Sequence, residues 1–151
     1  MILPILLYNN KKLRKKSKNI KKNHNLNLIN IINNMFETMY FYKGIGLSAP
    51  QIGKNINLFI LGINNIKMIF INSKIIKFSK KKILNKEGCL SLPNIYVNIY
   101  RKKSIYIKYY NYKWEKKIIN LYNIYSIIFQ HEFDHINGKL IIDYLSKKKY
   151  K

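Results

Sequence analysis

Apolar residues recur at helical spacing between Asn25 and Gly44. They lie three and four residues apart, at Leu28, Ile31, Ile32, Met35 and Met39. Residues at this spacing share one face of an α-helix, so the stretch predicts a helix with one buried face that leaves out Glu37 and Thr38. Glycine commonly adopts the left-handed conformation that ends a helix, so we expect this helix to end before Gly44.

Several short apolar runs predict β-strands instead. These runs are 58–61, 68–72, 95–99, 104–109 and 117–121. The first two are separated by a segment that contains Asn64 and Asn65, which favours a hairpin turn. In the fourth run, Ile105 and Ile107 alternate with more polar residues, which is the two-residue period of a half-buried strand.

A second helix is predicted from about Tyr122 to Ile136, because Asn137-Gly138 follows it as a signal that ends helices. Ile124 and Ile128 lie seven and three residues before His131, close to its face of that helix. They could line an apolar pocket beside this histidine, or they could belong to the core.

The segments between these elements are polar or irregular. Residues 1–7 are apolar but few, which predicts a first strand or an arm. The lysine-rich residues 11–22 predict a solvated, basic loop, and 80–82 predict a solvated loop or a strand edge. Residues 44–53 hold three glycines and a proline, which excludes a helix interior and a regular central strand. We expect a tight loop there that brings backbone close to a site, where Gln51 satisfies turn backbone groups or serves the site.

The chain has 151 residues, which suits one domain over 1–151 with a frayed basic tail at 146–151. Its single cysteine allows no internal disulfide, which fits a reducing compartment. No apolar run approaches the roughly 18 residues of a membrane span, so we expect no association with membranes. No signal or transit peptide is recognisable, so we expect a cytoplasm of the bacterial type, with an organelle as the alternative.

The formal net charge of +23 favours a general attraction to RNA-rich surfaces. Nearly all of the basic residues are lysines, with Arg14 and Arg101 as the exceptions, whereas direct readout of bases favours arginine. Abundant Lys, Asn, Ile and Tyr are also what an AT-biased coding sequence produces. We therefore expect no specific binding of DNA.

The candidate chemistry lies in residues 130–135, which contain the pattern H-E-x-x-H. On a helix, His131 and His135 lie one turn apart on the same face and can bind one metal ion. Glu132 beside them can accept a proton from a water that the metal activates. The alternative is a polar turn of a surface helix, but two of the three histidines and two of the six acidic residues fall within these positions.

A catalytic metal site needs a third protein ligand and an open position. Cys89 is the candidate that stands out, because it is the only cysteine and lies between Gly88 and Pro93 in a segment that we expect to be irregular. A single cysteine is often a buried, inert thiol, but its place in such a segment suits a ligand better.

Three motifs follow one another along the chain: GIGLSAPQ at 44–51, EGCLS at 87–91 and QHEFDH at 130–135. Together and in this order they resemble the motifs of the peptide deformylases. Other segments are similar to this family as well, at 13–14, 35–40, 138–140 and 143–146. The resemblance therefore covers nearly the whole chain.

The resemblance implies an α+β fold in which antiparallel β-sheets surround a central, metal-binding helix. It also implies an enzyme that removes the formyl group from the N-terminal methionine of nascent polypeptides. The family typically uses Fe(II), and Zn(II), Ni(II) or Co(II) can substitute for it. The implied partners are N-formylmethionyl nascent peptides. Because the surface of the chain is rich in lysine, we also expect the ribosome surface as a partner.

Residue roles follow from the resemblance by position. The metal ligands would be Cys89, His131 and His135. Glu132 would take the proton of the metal-activated water as it attacks the formyl carbonyl, and would deliver it to the leaving amine. The Gln51 side-chain amide and the Leu90 backbone N–H would stabilise the oxyanion. The pocket for the methionine side chain would include Ile45, Gly46, Ile124 and Ile128.

Two features depart from the family's pattern. Ser48 stands where the family usually has alanine, a small change that we expect to be tolerated. The chain stops soon after Ser146, whereas many relatives carry a longer C-terminal helix. The expected site residues all precede this point, so we expect the change to affect stability or ribosome docking and not activity.

Two other functions share some of these features. An H-E-x-x-H peptidase usually takes its third ligand from downstream of the helix, where Asp143 is the only acidic residue and no histidine or cysteine follows His135. A basic RNA-binding protein with a remnant metal site would explain the charge, but it would keep its function without Cys89.

Overall fold

The structure is a computed structural model that describes residues 1–145. This part of the chain contains the α-helices α1 (Leu28–Phe41) and α2 (Asn123–Ile136). The strands are β1 (Gly46–Ser48), β2 (Leu58–Ile63), β3 (Ile66–Phe78), β4 (Lys82–Cys89), β5 (Leu92–Lys102), β6 (Ser104–Tyr110) and β7 (Lys116–Tyr122). Short 3-10 helices are formed by Lys11–Arg14, Ala49–Ile52 and Ile141–Tyr144. The tail expected at 146–151 lies outside the described residues.

The strands form two antiparallel sheets. One has the order β1-β2-β3-β6-β7, and the other is the β4-β5 hairpin. Helix α2 packs against strands of both sheets, so it lies between them. The predicted α+β class with antiparallel sheets is therefore confirmed. Neither helix of residues 1–145 has the length and apolarity that a membrane crossing requires.

Three apolar clusters form the core, and one of them includes residues of α2. One joins α1 to β1 and β2. The second packs α2 on the five-stranded sheet, where the Phe129 ring lies 4.9 Å from Phe59 and 5.0 Å from Phe70 between centroids. The third lies under the β4-β5 hairpin and includes Leu13, which is fully buried. The segment 11–22 is therefore only in part the solvated loop that its lysines predict.

Helix α1 has the predicted apolar face, but the prediction for Thr38 was wrong. Thr38 is fully buried, because its hydroxyl donates to the Asn34 carbonyl at 2.7 Å and accepts from the Leu3 N–H at 2.9 Å. A threonine that bonds to the carbonyl four residues earlier needs no water, so it can be buried. The N-terminal arm covers this position, which the helical spacing alone does not indicate.

The residue that takes the left-handed conformation at the end of α1 differs from the prediction. The helix ends before Gly44 as expected, but Lys43 takes the left-handed conformation, with φ of 58°. The Gly44 N–H donates to the Met39 carbonyl at 2.9 Å and closes the helix end. Gly44 is needed for space instead, since a Cβ there would lie 2.9 Å from the Leu90 side chain.

The hairpin between β2 and β3 confirms the turn prediction, because Asn64 and Asn65 both have positive φ, at 52° and 63°. The strands are longer than the apolar runs, and β3 extends to Phe78. Both alternatives expected for 80–82 occur in part, since Lys80 and Lys81 lie in the connection between β3 and β4, and Lys82 begins β4. Lysine side chains can reach solvent from the exposed face of a strand as well as from a loop, so they do not distinguish the two.

Candidate metal centre

Cys89, His131 and His135 come together between β4 and α2. Each offers one ligand atom, and these three atoms lie within 4.8 Å of one another. The Cys89 Sγ lies 3.4 Å from the His135 Nε2, and the two imidazole rings are 5.2 Å apart between centroids. The helical spacing brings the histidines together, and the packing of the hairpin on α2 adds the thiol.

These donors fit a divalent metal ion. A tetrahedral metal bound at about 2.3 Å to sulfur and about 2.0–2.1 Å to nitrogen separates the two atoms by about 3.5 Å, close to the distance between Cys89 and His135. Thiolate and imidazole ligands suit iron and zinc. Burial lowers the pKa of His135 well below its usual value, which keeps it in the neutral form that binds metal.

The expectation that Cys89 lies in an irregular segment was wrong. Cys89 is the last residue of β4 and pairs with Leu92 of β5, after a register shift between Glu87 and Cys89. The irregular part is the turn at Leu90 and Ser91, which joins the two strands. The strand pairing fixes the backbone at Cys89, and the bulge beside it changes the face of the strand to which the thiol points.

His131 is oriented by Glu87. The His131 Nδ1–H donates to the Glu87 Oε1 at 3.0 Å, which leaves Nε2 available as the ligand atom. Burial lowers the pKa of His131. The pKa is nevertheless well above its usual value, because the carboxylates of Glu132 and Glu87 and the Cys89 sulfur favour the protonated form. A positive charge is therefore favoured at this position, and a metal cation supplies one.

Glu87 is in turn held by Arg101. The guanidinium Nε donates to Oε2 and NH2 donates to Oε1, each at 2.8 Å. Although burial raises it, hydrogen bonds from Arg101 and His131 lower the pKa of Glu87 to about 2. Neither residue is among the site residues expected from the sequence. The signals available were the position of Glu87 beside Cys89 and the rarity of arginine in this chain.

Glu132 lies in the cavity next to the ligands and is 3% exposed. Its Oε1 is buried and has no hydrogen-bond partner among residues 1–145, and its Oε2 lies 3.9 Å from the His131 Nε2. Burial raises the pKa of Glu132 to about 7, against the opposing charge of His131. A carboxylate with this pKa can take up and release a proton near neutral pH.

Gly46 allows β1 to pass close to this carboxylate. A Cβ at Gly46 would lie 2.6 Å from the Glu132 Oε2 and 3.0 Å from the Ile128 Cγ2. A side chain there would displace the carboxylate, which explains why glycine occupies a strand position. Residues 44–53 are therefore not simply the expected loop, since they contain β1 and the 3-10 helix Ala49–Ile52.

Gln51 contacts both the turn and the ligand cluster. Its Oε1 accepts from the Ser48 N–H at 3.0 Å and from the Ser48 hydroxyl at 3.1 Å, and so satisfies the turn. Its Nε2 donates to the Ser91 hydroxyl at 3.1 Å and lies 3.6 Å from the Cys89 Sγ. The amide nitrogen therefore lies beside the ligand cluster. Leu90 lies in the adjacent turn, beside the same cavity.

One cavity of about 700 Å³ is lined by Gln51, Cys89, Leu90, His131 and Glu132. All four residues expected to bind substrate line it, namely Ile45, Gly46, Ile124 and Ile128. Further lining residues were not predicted, among them Ile5, Leu7, Tyr42, Tyr96 and Ile127. The N-terminal arm reaches the cavity through long-range hydrogen bonds such as Leu6 N–H to the Gln51 carbonyl, at 2.7 Å, and no local pattern indicates these.

Comparisons with known proteins agree with one another. The family model described as polypeptide deformylase matches residues 2–151. The peptide deformylase of Karelsulcia muelleri is 52% identical over 149 residues, which cover 95% of this chain and 78% of that protein. The peptide deformylase of Thermotoga maritima is 42% identical over 137 residues, which cover 91% of this chain and 83% of that protein.

Solved structures show the same likeness. The crystal structure of the Thermotoga maritima peptide deformylase matches with a TM-score of 0.92 and 40% identity, over 97% of this chain and 99% of that one. The Met-Ala-Ser-bound peptide deformylase of Acinetobacter baumannii matches with a TM-score of 0.91 and 26% identity, over 96% of this chain and 99% of that one.

Proposed function

The chain belongs to the peptide deformylase family, and from that premise we propose that Cys89, His131 and His135 hold its catalytic divalent metal. Peptide deformylases are metal-dependent hydrolases, and this chain removes the formyl group from the N-terminal methionine of nascent polypeptides. The observation that carries the residue assignment is the convergence of one thiol and two imidazoles beside a buried glutamate. Fe(II) is the proposed native metal, with Zn(II), Ni(II) or Co(II) as substitutes that the same donors accept.

When bound, the metal supplies Lewis-acid activation of a water for attack on the formyl carbonyl. Glu132 accepts the proton of that water and delivers it to the amine that leaves. Its burial and the lack of a described partner for its Oε1 support this role, because a free acceptor at the cavity wall can receive a proton directly.

Gln51 and Leu90 stabilise the oxyanion that forms on the formyl oxygen. The position of the Gln51 amide supports its part, since its Nε2 lies 3.6 Å from the Sγ of Cys89, one of the proposed ligands. The Leu90 N–H belongs to the turn that follows Cys89. One preorganised donor of this kind typically lowers a barrier by about 3 kcal/mol.

The apolar part of the cavity accepts the methionine side chain. The residues proposed for this contact are Ile45, Gly46, Ile124 and Ile128. Ile128 is buried and packs next to Gly46, so it forms the floor of the pocket, whereas Ile45 is 45% exposed and lies at the mouth. A formyl group fits beside Glu132, where Gly46 leaves little space, and larger acyl groups are excluded by shape.

Turnover of formyl-Met-Ala-Ser by anaerobically purified protein tests this proposal. The wild type is expected to turn the peptide over, while Glu132→Ala keeps its metal and loses activity, and Cys89→Ala loses both. Glu115→Ala changes an exposed glutamate of the β6-β7 turn and serves as the control. Absence of turnover by folded protein with one metal per chain would overturn the assignment. Cleavage of internal peptide bonds would favour a peptidase instead.

The proposed docking partner is the RNA-rich ribosome surface. The outer face of the β4-β5 hairpin carries Lys82, Lys86 and Lys102 together with Tyr96 and Tyr100, which are 64% and 67% exposed. This face has no carboxylate among the described residues of the two strands. Lysines with interleaved aromatic rings suit phosphates and unstacked bases.

Co-sedimentation with ribosomes tests this partner. Binding is expected to fall as salt is raised, because contacts between lysine and phosphate release counterions. Lys82→Glu with Lys86→Glu is expected to weaken binding more than Lys116→Glu with Lys117→Glu, which places the same charge change on β7. Binding that does not depend on salt, or equal loss in both double variants, would contradict the proposal.

We further propose that the chain acts as one catalytic domain in a cytoplasm of the bacterial type. The bacterial sources of its relatives support this location. Cell fractionation of the producing organism, with a ribosomal protein as the cytoplasmic marker, tests it. Recovery in an organelle fraction would overturn it.

A further inference from the structure

The C-terminal 3-10 helix Ile141–Tyr144 is connected to the metal centre by a chain of hydrogen bonds. The Tyr144 hydroxyl donates to the Asp134 Oδ2 at 2.7 Å. The Arg101 NH1 donates to the same Asp134 oxygen at 2.7 Å and to the Tyr144 hydroxyl at 3.1 Å. The Arg101 guanidinium also lies over the Tyr144 ring, 4.8 Å from its centroid.

The other two nitrogens of this guanidinium reach the metal centre. Nε and NH2 both donate to Glu87, whose Oε1 accepts from the His131 Nδ1–H. Arg101 is 3% exposed, so water does not replace a contact that is lost. Because a guanidinium is rigid and planar, the partners on its NH1 side fix the angle at which its other edge meets Glu87.

We propose that Tyr144 is a positioning residue for the metal ligand His131. Its hydroxyl fixes the positions of Asp134 and Arg101 relative to each other, and Arg101 fixes the carboxylate of Glu87. Glu87 in turn orients the His131 imidazole so that Nε2 points toward the metal. This inference rests on the proposed role of His131 as a ligand. Outer hydrogen-bond partners of metal ligands typically change metal affinity 10–100-fold, so we expect about tenfold from this more distant residue.

The C-terminal helix is held in place by contacts that do not involve the Tyr144 hydroxyl. The Asp143 Oδ2 accepts from the Arg14 NH1 at 2.7 Å and from the Leu140 N–H at 3.0 Å. The preceding Gly138 packs so closely that a Cβ there would lie 2.3 Å from the Arg14 carbonyl oxygen. The effect of removing the Tyr144 hydroxyl can therefore be distinguished from the effect of displacing the 3-10 helix.

The test uses protein loaded with Co(II), whose visible and near-ultraviolet absorption reports the geometry of the metal and its thiolate. Tyr144→Phe keeps the ring under Arg101 and removes the hydroxyl. We expect it to lose Co(II) to a chelator about tenfold faster than the wild type, with a shifted absorption spectrum. Tyr109→Phe, which removes a half-buried hydroxyl from β6, is the control for the chemical change.

Asp143→Asn is the control for the turn. It weakens the contacts to Arg14 and Leu140 and is expected to lower the unfolding temperature while leaving Co(II) retention and spectrum unchanged. A wild-type spectrum and release rate in Tyr144→Phe would overturn the inference, as would equal metal loss in Asp143→Asn. A wild type without a Co(II)–thiolate band would overturn the ligand assignment itself, and this inference with it.

Discussion

The hydroxyl of Ser48 lies 3.1 Å from the Oε1 of Gln51 and donates to it, beside the Ser48 N–H, which donates to the same oxygen at 3.0 Å. Both groups are buried. Two donors on one amide oxygen fix which end of the amide faces the metal ligands. Ser48, which stands where the family usually has alanine, therefore adds a contact to the group that we assign to the oxyanion.

Ser48→Ala removes one of these two donors and leaves the backbone contact. A typical hydrogen bond contributes about 1 kcal/mol, so we expect kcat for a formyl-Met peptide to fall about fivefold, with KM little changed. Steady-state kinetics measures this. Ser126→Ala, which removes another buried, hydrogen-bonded hydroxyl, is the control. A fall in unfolding temperature without a fall in kcat would show that Ser48 has no part in orienting Gln51.

Gly46→Ala places a methyl group against the Glu132 carboxylate, at 2.6 Å from its Oε2 before relaxation. The carboxylate is expected to shift, so that kcat falls at least tenfold while metal content stays near that of the wild type. Activity and metal analysis on the same sample measure both. Gly62→Ala is equally crowded, against the Met39 Cε at 2.7 Å, but lies away from the cavity. If both variants lose kcat equally, crowding at Glu132 is not the cause.

Removal of the metal is expected to lower stability as well as activity. A ligand that binds only the folded state raises the free energy of unfolding, by about 2.7 kcal/mol at a concentration 100 times its Kd. Addition of Zn(II) or Co(II) to chelated protein should therefore raise the unfolding temperature of the wild type, measured by calorimetry. The same addition should leave Cys89→Ala unchanged. An equal rise in both proteins would contradict the role of the thiol.

The pair between Arg14 and Asp143 is expected to stabilise the fold only above acidic pH. Although partial burial raises it, the hydrogen bond from Arg14 and the contact with the Leu140 N–H hold the pKa of Asp143 below its usual value. A carboxyl whose pKa is lower when folded adds stability above its unfolded pKa of about 3.9, and loses it as pH falls through the folded value.

The unfolding temperatures of the wild type and Asp143→Asn should therefore differ at pH 6 and converge as the pH falls below about 3.9. The effect is modest, because the Arg14 side chain is 43% exposed to solvent. Thermal unfolding followed across this pH range measures it. A difference between the two proteins that stays constant with pH would contradict the charge pairing.

Much of the secondary structure followed from local patterns. The apolar spacing of α1, the Asn64-Asn65 turn and the final helix were confirmed, because the periods of helix and strand are set by the backbone itself. The extent of β3 was underestimated and β4 was not predicted as a strand, since lysines are equally suited to a loop and to the open face of a sheet. The burial of Thr38 and the left-handed conformation of Lys43 were not predicted. The first depends on a contact with the N-terminal arm and the second on the geometry of the helix end, and helical spacing indicates neither.

The sequence by itself determined that His131 and His135 lie on one face of a helix, because residues four apart in an α-helix are neighbours. The residues themselves favoured Cys89 as the third ligand, whereas the role of Gln51 came from the resemblance to a family, since the local residues left that role open. Only the tertiary structure decided that Cys89 meets these histidines, and that Tyr144 reaches them through Arg101 and Glu87. Such contacts join segments far apart in the chain, and they form only where burial of the core offsets the entropy of ordering those segments.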